Sequence, residues 1–170
     1  MHSRCACGVD VPVRALSERL GEHLRAGRLT LATAESCTGG ALAAALTAVA
    51  GSSDYFVGGV VSYSNAAKQE LLGVPATVLE SAGAVSEECA LAMARGARRA
   101  LRAGLALATT GIAGPGGAEP GKPVGLVYIA LADGAGEECH RFVFIGDRGA
   151  VIEAATRQAL TIALQRVGSR

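Results

Sequence analysis

Tryptophan is absent from this chain of 170 residues, and all aromatics together make up only 4% of it. A surface that stacks nucleobases needs aromatic faces, so a nucleic-acid platform of that kind is excluded. An excess of either charge is missing too. Sixteen Lys and Arg stand against fifteen Asp and Glu, for a net charge of +1. That balance gives no electrostatic footprint for a phosphate backbone, and no nucleic-acid partner is expected. Long hydrophobic runs are lacking. The longest, around residues 41–50, is far short of the ~20 residues a membrane helix needs. The N-terminus has no apolar core of a secretory signal, so the expected location is the cytoplasm, with no membrane partner. The five cysteines are odd in number and scattered, which argues against a disulfide framework and for reduced thiols. Cys5 and Cys7 stand close together, but no second pair follows at ligand spacing, so no metal and no cofactor is expected. Residues 1–12 read as a poorly ordered N-terminal extension ahead of a single domain over 13–170.

What the chain does have is apolar and small. Half its residues are hydrophobic and 23 are glycine, enough for one well-buried core. Helical spacing of Leu16, Leu20, His23 and Leu24 predicts a helix ending near Gly27. Strands are expected at 29–32, 55–63, 105–109, 123–131 and 139–145. Gly58 and Gly59 mark a bulge in the second of these. Ser64 or Asn65 caps a short helix stopped by Gly73, and Ser86 opens a longer one ahead of Glu87 and Glu88. The last two strands pair around an Asp133-Gly134 turn, and Asp147 caps the final helix. Helices alternating with strands, closed by a hairpin, predict a three-layer α/β/α sandwich with a mixed sheet.

Three polar turns follow strands, the place where such sheets hold ligands. The first is Glu35-Ser36-Cys37-Thr38-Gly39-Gly40. Ser36 and Thr38 are both plausible N-caps for the helix that follows, and the glycines let backbone approach a ligand. The second holds Tyr63, Ser64, Asn65 and Lys68. A lysine in a first helical turn feels the positive helix end, which lowers its pKa as burial does, and a neutral amine can deprotonate a hydroxyl. The third, Thr110-Gly111-Ile112-Ala113-Gly114-Pro115-Gly116-Gly117, is neither a P-loop nor a dinucleotide fingerprint, but its amides can form an anion nest. Arg148 can add a bidentate clamp on the same anion. Taken singly, each turn also has an ordinary reading: a capped helix, a solvated lysine, a glycine-rich loop. His2, His23 and His140 are poorly placed for a Ser-His-Asp arrangement. That leaves a Ser-Lys or Ser-Tyr-Lys set, or Cys37 as nucleophile.

These turns, together with Gly51-Ser52-Ser53, Gly83-Ala84-Val85-Ser86, Lys122-Pro123-Val124-Gly125 and Gly146-Asp147-Arg148 in order, resemble the CinA C-terminal domain family, the nicotinamide-mononucleotide amidohydrolases. The resemblance covers roughly residues 13–167. It implies hydrolysis of the carboxamide of nicotinamide mononucleotide to nicotinate mononucleotide and ammonia, in the recycling of pyridine nucleotides. It implies Ser36 as nucleophile, Lys68 as base and Tyr63 in the proton path, and no metal. Amides near Thr38, Gly39 and Gly40 would hold the oxyanion, with Glu35 in the same substrate-binding turn. Thr110, Gly111, Ile112, Ala113, Gly114 and Arg148 would hold the phosphate. A stand-alone form is expected, as a homodimer. The alternative is a non-catalytic nucleotide- or partner-binding module linked to competence or DNA damage.

Overall fold

The computed structural model describes residues 11–169. The Cys5/Cys7 reading and nearly all of the 1–12 extension lie outside the described residues. In chain order the elements are α1 (Val13–Ala26), β1 (Leu31–Glu35), α2 (Ala41–Thr47), a 3₁₀ turn (Ser52–Asp54), β2 (Phe56–Val61), α3 (Asn65–Leu72), α4 (Ala76–Ser81), α5 (Glu87–Ala100), β3 (Leu105–Gly111), β4 (Leu126–Asp133), β5 (Glu137–Val143) and α6 (Arg148–Gly168). The strands form one sheet in the order β2-β1-β3-β4-β5. The first three are mutually parallel, and β4 and β5 run antiparallel as a hairpin. The mixed three-layer sandwich expected from the alternation of elements is the fold observed.

The two faces of the sheet differ in residue size. Leu31, Leu105, Leu107, Ile129 and Leu131 point to one side, where they pack with Leu16, Leu20 and Leu24 of α1, Leu42 and Leu46 of α2, and the buried face of α6. Ala32, Ala34, Ala106, Ala108, Ala130 and Ala132 alternate with them and face α5. Alternation follows from the period-two geometry of a strand. The leucine face supplies most of the hydrophobic stabilisation, at ~2 kcal/mol per fully buried side chain. The alanine face lets α5 lie close to the sheet. α5 also closes tightly on α3, because Gly96 has no side chain: a Cβ there would collide with the Leu72 carbonyl.

The strand bounds differ from expectation: β2 is Phe56–Val61, not 55–63, β3 runs on to Gly111, and the hairpin strands are Leu126–Asp133 and Glu137–Val143, not 123–131 and 139–145; at β1 both ends shift for a local reason. β1 starts at Leu31, not at residue 29, because residues 27–29 are used in ending α1. Gly27, Arg28 and Leu29 donate their amides back to His23, Arg25 and Leu24. The strand then runs past its expected end at residue 32 and takes in Glu35 from the expected turn, because β2 and β3 flank it over that length. The bulge expected at the glycines of β2 is present: the register slips between Leu31/Ala32 and Phe56/Gly58. Ser64, Ser86 and Asp147 accept the amides of Ala67, Cys89 and Ala150 and so cap α3, α5 and α6. No helix among the described residues is long and apolar enough to cross a membrane.

Candidate active site

The chain leaves β1 for β2 on one side and later returns to β3 on the other. The crevice between the C-terminal ends of β1 and β3 is therefore a topological switch point, where sheets of this kind bind ligands. The first and third polar turns both open into it.

Ser36 is the first residue after β1. Its amide donates to the Thr109 carbonyl on β3 at 2.9 Å, which fixes the turn to the neighbouring strand. Lys68 comes from α3, whose start is held by the Ser64 cap. Its side chain is buried at 1% exposure. Lys68 Nζ lies 3.0 Å from Ser36 Oγ and donates to the Ser62 carbonyl at 2.7 Å. No carboxylate forms an ion pair with Lys68 among the described residues. Burial pulls the ammonium below the ordinary lysine range, while Cys89 and Cys37 act weakly the other way. A buried amine without a counter-charge is poised to lose its proton; its lone pair can then accept from the Ser36 hydroxyl.

Cys37 is placed differently. It is buried, and desolvation is the main cause that pushes its thiol up to about 12. The Glu35 charge adds to that shift; nearby amides and Lys68 oppose it. A thiol so raised stays protonated and is a poor nucleophile.

The cleft has a volume of about 280 Å³. Its wall brings together Ser36, Lys68, Tyr63, Thr110, Gly111, Ile112, Ala113, Gly114 and Arg148. Four expected residues are not in that wall. Glu35 is 1% exposed, and its carboxylate accepts the amides of Gly40, Leu42 and Ala43 at 2.8–3.0 Å together with the Thr38 hydroxyl at 2.7 Å. Thr38 in turn shares a hydroxyl hydrogen bond with Thr109. So neither Ser36 nor Thr38 caps α2. Gly40, at φ 103°, is the N-cap residue, and the acceptor for the first-turn amides is the side chain of Glu35. The Gly39 amide donates to the Ser36 carbonyl. The groups expected to receive an oxyanion at Gly39 and Gly40 are thus spent inside the turn.

Tyr63 also departs from expectation. Its hydroxyl accepts from Arg148 at 2.8 Å and does not bridge Ser36 and Lys68. Arg148 donates as well to the Gly114 carbonyl at 2.8 Å, so one guanidinium ties the glycine-rich loop to the second turn. Thr110 donates its hydroxyl to the Ala84 carbonyl, which anchors the segment before α5. Cys37, Ala84, Val85, Gly116 and Gly117 complete the wall. Ala84 and Val85 belong to the Gly83-Ala84-Val85-Ser86 motif of the resemblance, but their apolar side chains gave no reason to place them in the site.

The fold and cleft define a three-layer α/β protein with a serine–lysine pair at its switch point. The comparisons with known proteins narrow this. The CinA C-terminal domain model matches residues 13–167, and the chain belongs to that family. It is 49% identical over 153 residues to a nicotinamide-nucleotide amidohydrolase, PncC, of Pseudomonas putida, covering 90% of this chain and 93% of that protein. It is 57% identical over 136 residues to a CinA-like protein of Citrifermentans bemidjiense, covering 80% of this chain but only 33% of the relative. The chain thus spans about a third of some relatives and nearly all of others. A crystal structure of a CinA superfamily protein from Klebsiella pneumoniae superposes with a TM-score of 0.91 at 38% identity, covering 94% of this chain and 100% of that one.

Proposed function

We propose that the protein hydrolyses the carboxamide of nicotinamide mononucleotide, giving nicotinate mononucleotide and ammonia. The observation that carries the reading is the 3.0 Å contact between Ser36 Oγ and an amine with no counter-charge. The similarity to PncC over nearly both whole lengths supports the substrate.

Ser36 Oγ attacks the carboxamide carbon while Lys68 takes its proton. The C–N bond breaks, the proton passes from Lys68 to the leaving nitrogen, and ammonia departs from an acyl-serine ester. Water then attacks the ester. Lys68 receives the water's proton and returns it to Ser36 Oγ, and the carboxylate is released. With the Gly39 and Gly40 amides engaged, the amides of Cys37 and Thr38 are the donors left on this turn for the oxyanion. The 110–117 loop and the remaining donors of Arg148 face the phosphate. Tyr63 acts by holding Arg148.

The test is ammonia release from nicotinamide mononucleotide and, separately, from free nicotinamide. Arg148→Gln is expected to raise KM for the nucleotide ~10–100-fold, the size of one or two lost charge-assisted hydrogen bonds. It should leave kcat within a few-fold and leave the slow reaction of nicotinamide unchanged. Binding of the nucleotide with no ammonia released would instead support the non-catalytic module.

The Lys68 environment fixes the sign of the pH dependence. Only the neutral amine acts as base, and its fraction grows as pH rises through a folded-state pKa lowered by burial. kcat/KM is therefore expected to climb with pH and level off below the ordinary lysine range. Initial rates from about pH 6 to 10 check this; a profile that falls across that range contradicts Lys68 as base.

A further inference from the structure

At the far end of the sheet, where β3 begins and β4 ends, lies a groove of about 720 Å³. Leu105 pairs with Asp133 there, while Gly111 pairs with Val127 at the end bearing the cleft. One wall is a row of four arginines, Arg95, Arg98, Arg99 and Arg102. Their spacing, i, i+3, i+4 and i+7, puts them on one side of α5 and its last turn. The other side of α5 is buried against the sheet.

The facing wall does not balance this charge. Glu137 is taken by both of its hydrogen bonds to Arg95, and Asp133 is engaged by Arg166 through two. Arg98, Arg99 and Arg102 form no ion pair with a carboxylate among the described residues. Arg98 and Arg99 each spend one donor on a carbonyl, of Gly104 and of Leu72, at 3.3 and 3.4 Å. Most of their N–H groups remain for a ligand, since each guanidinium carries five.

Arg102 ends the row in an unusual backbone conformation. It sits at φ 50°, in the left-handed turn that ends α5, with Ala103 donating back to the Arg98 carbonyl. That position favours glycine, and a side chain there strains the backbone. Arg28, which ends α1, is the other described non-glycine residue with positive φ, but no comparable basic row surrounds it.

We propose that this groove binds a small ligand bearing two or more adjacent phosphate groups, of the kind found in nucleoside diphosphates and triphosphates or in inorganic pyrophosphate. Arg98 and Arg99 lie in the last turn of α5, Arg102 follows just beyond it, and all three line the one groove. A single phosphate is too small to meet all three guanidinium groups. A chain of two or three phosphates has the length and the oxygens to do so. The negative end of α5 points the same way and weakens the field, so arginines must supply the attraction.

The test is calorimetric titration with pyrophosphate, tripolyphosphate, ADP and ATP at constant ionic strength, with orthophosphate as the single-phosphate comparison. Three variants accompany the wild type. Saturable binding of the polyphosphates is expected in wild type and in Arg148→Gln, which separates the groove from the cleft. Arg98→Gln/Arg102→Gln is expected to weaken it at least ~10-fold with amidase activity unchanged. Arg102→Gly is expected to weaken it while raising Tm by a few degrees, roughly 2–4 °C, a pair of opposite effects that a purely structural arginine would not produce. Tighter binding of ADP and ATP than of inorganic chains identifies a nucleotide ligand; equal binding identifies the inorganic source. The proposal is overturned if wild type shows no saturable binding, if orthophosphate binds as tightly as tripolyphosphate, if Arg148→Gln abolishes the signal, or if a single-stranded oligonucleotide binds more tightly than all of them.

Discussion

Ser36→Ala is expected to lower kcat for ammonia release from nicotinamide mononucleotide by at least ~10³-fold, the scale seen when a nucleophile is removed from a set acting as a unit. The substitution deletes one oxygen, and that oxygen is the atom Lys68 Nζ approaches at 3.0 Å. Binding should survive, because Gly114 and Arg148, proposed to hold the phosphate, are untouched. The turn should survive too, since it is fixed through the Ser36 amide and carbonyl, which alanine keeps. Cys37→Ala is the matched comparison. It removes a buried sulfur whose thiol is pushed up to about 12, so activity is expected to stay within ~10-fold of wild type while stability drops by ~1 kcal/mol. Steady-state rates of both variants decide the matter: an active Ser36→Ala with an inactive Cys37→Ala would move the nucleophile to the neighbouring residue.

The second large effect is on stability. Glu35→Ala is expected to cost ~3–5 kcal/mol and, at ~2–4 °C per kcal/mol for a chain of this length, to lower Tm by about 10 °C. The Glu35 carboxylate is the acceptor for three backbone amides at the start of α2 and for the Thr38 hydroxyl. Removing it strands these donors in a buried place, at ~1–3 kcal/mol each before relaxation. It also leaves a void beneath the turn that carries Ser36. Glu35→Gln preserves the shape and one acceptor oxygen but turns a donor group toward other donors, so its loss should fall between the two. Thermal melts of the three proteins give the ordering. A Glu35→Ala protein as stable as wild type would mean that the first turn of α2 is satisfied by other acceptors.

Much of this was legible in the sequence, and the parts that were not share a cause. The sheet announced itself because Leu31, Leu105 and Leu107 alternate with alanines in short runs flanked by turn residues. The caps at Ser64, Ser86 and Asp147 were legible because each is a local event within three residues. The Ser36–Lys68 pairing was accessible only as two turns that follow strands in an α/β pattern; their meeting depends on β1 and β2 being neighbours. The cap of α2 was expected at Ser36 or Thr38 because short-range capping rules favour a hydroxyl, and the sequence offered two. The Glu35 carboxylate reaches the amides of Leu42 and Ala43, seven and eight residues on, beyond the span of any such rule. The Tyr63–Arg148 hydrogen bond was illegible for a related reason, since the two lie 85 positions apart. The arginine row was present in the sequence at helical spacing, but its lack of carboxylate partners is a property of the folded neighbourhood of Asp133 and Glu137.

The sheet order has a consequence for how the reactive centre fails. Lys68 reaches the serine from the helix that follows β2, and β2 is one of the two edge strands, paired only to β1. Outer strands are the first part of a sheet to fray. A brief peeling of that margin would withdraw the amine from its alcohol while the rest of the core stayed packed. If Lys68 is the base, activity is then expected to depend on how firmly this edge of the sheet holds.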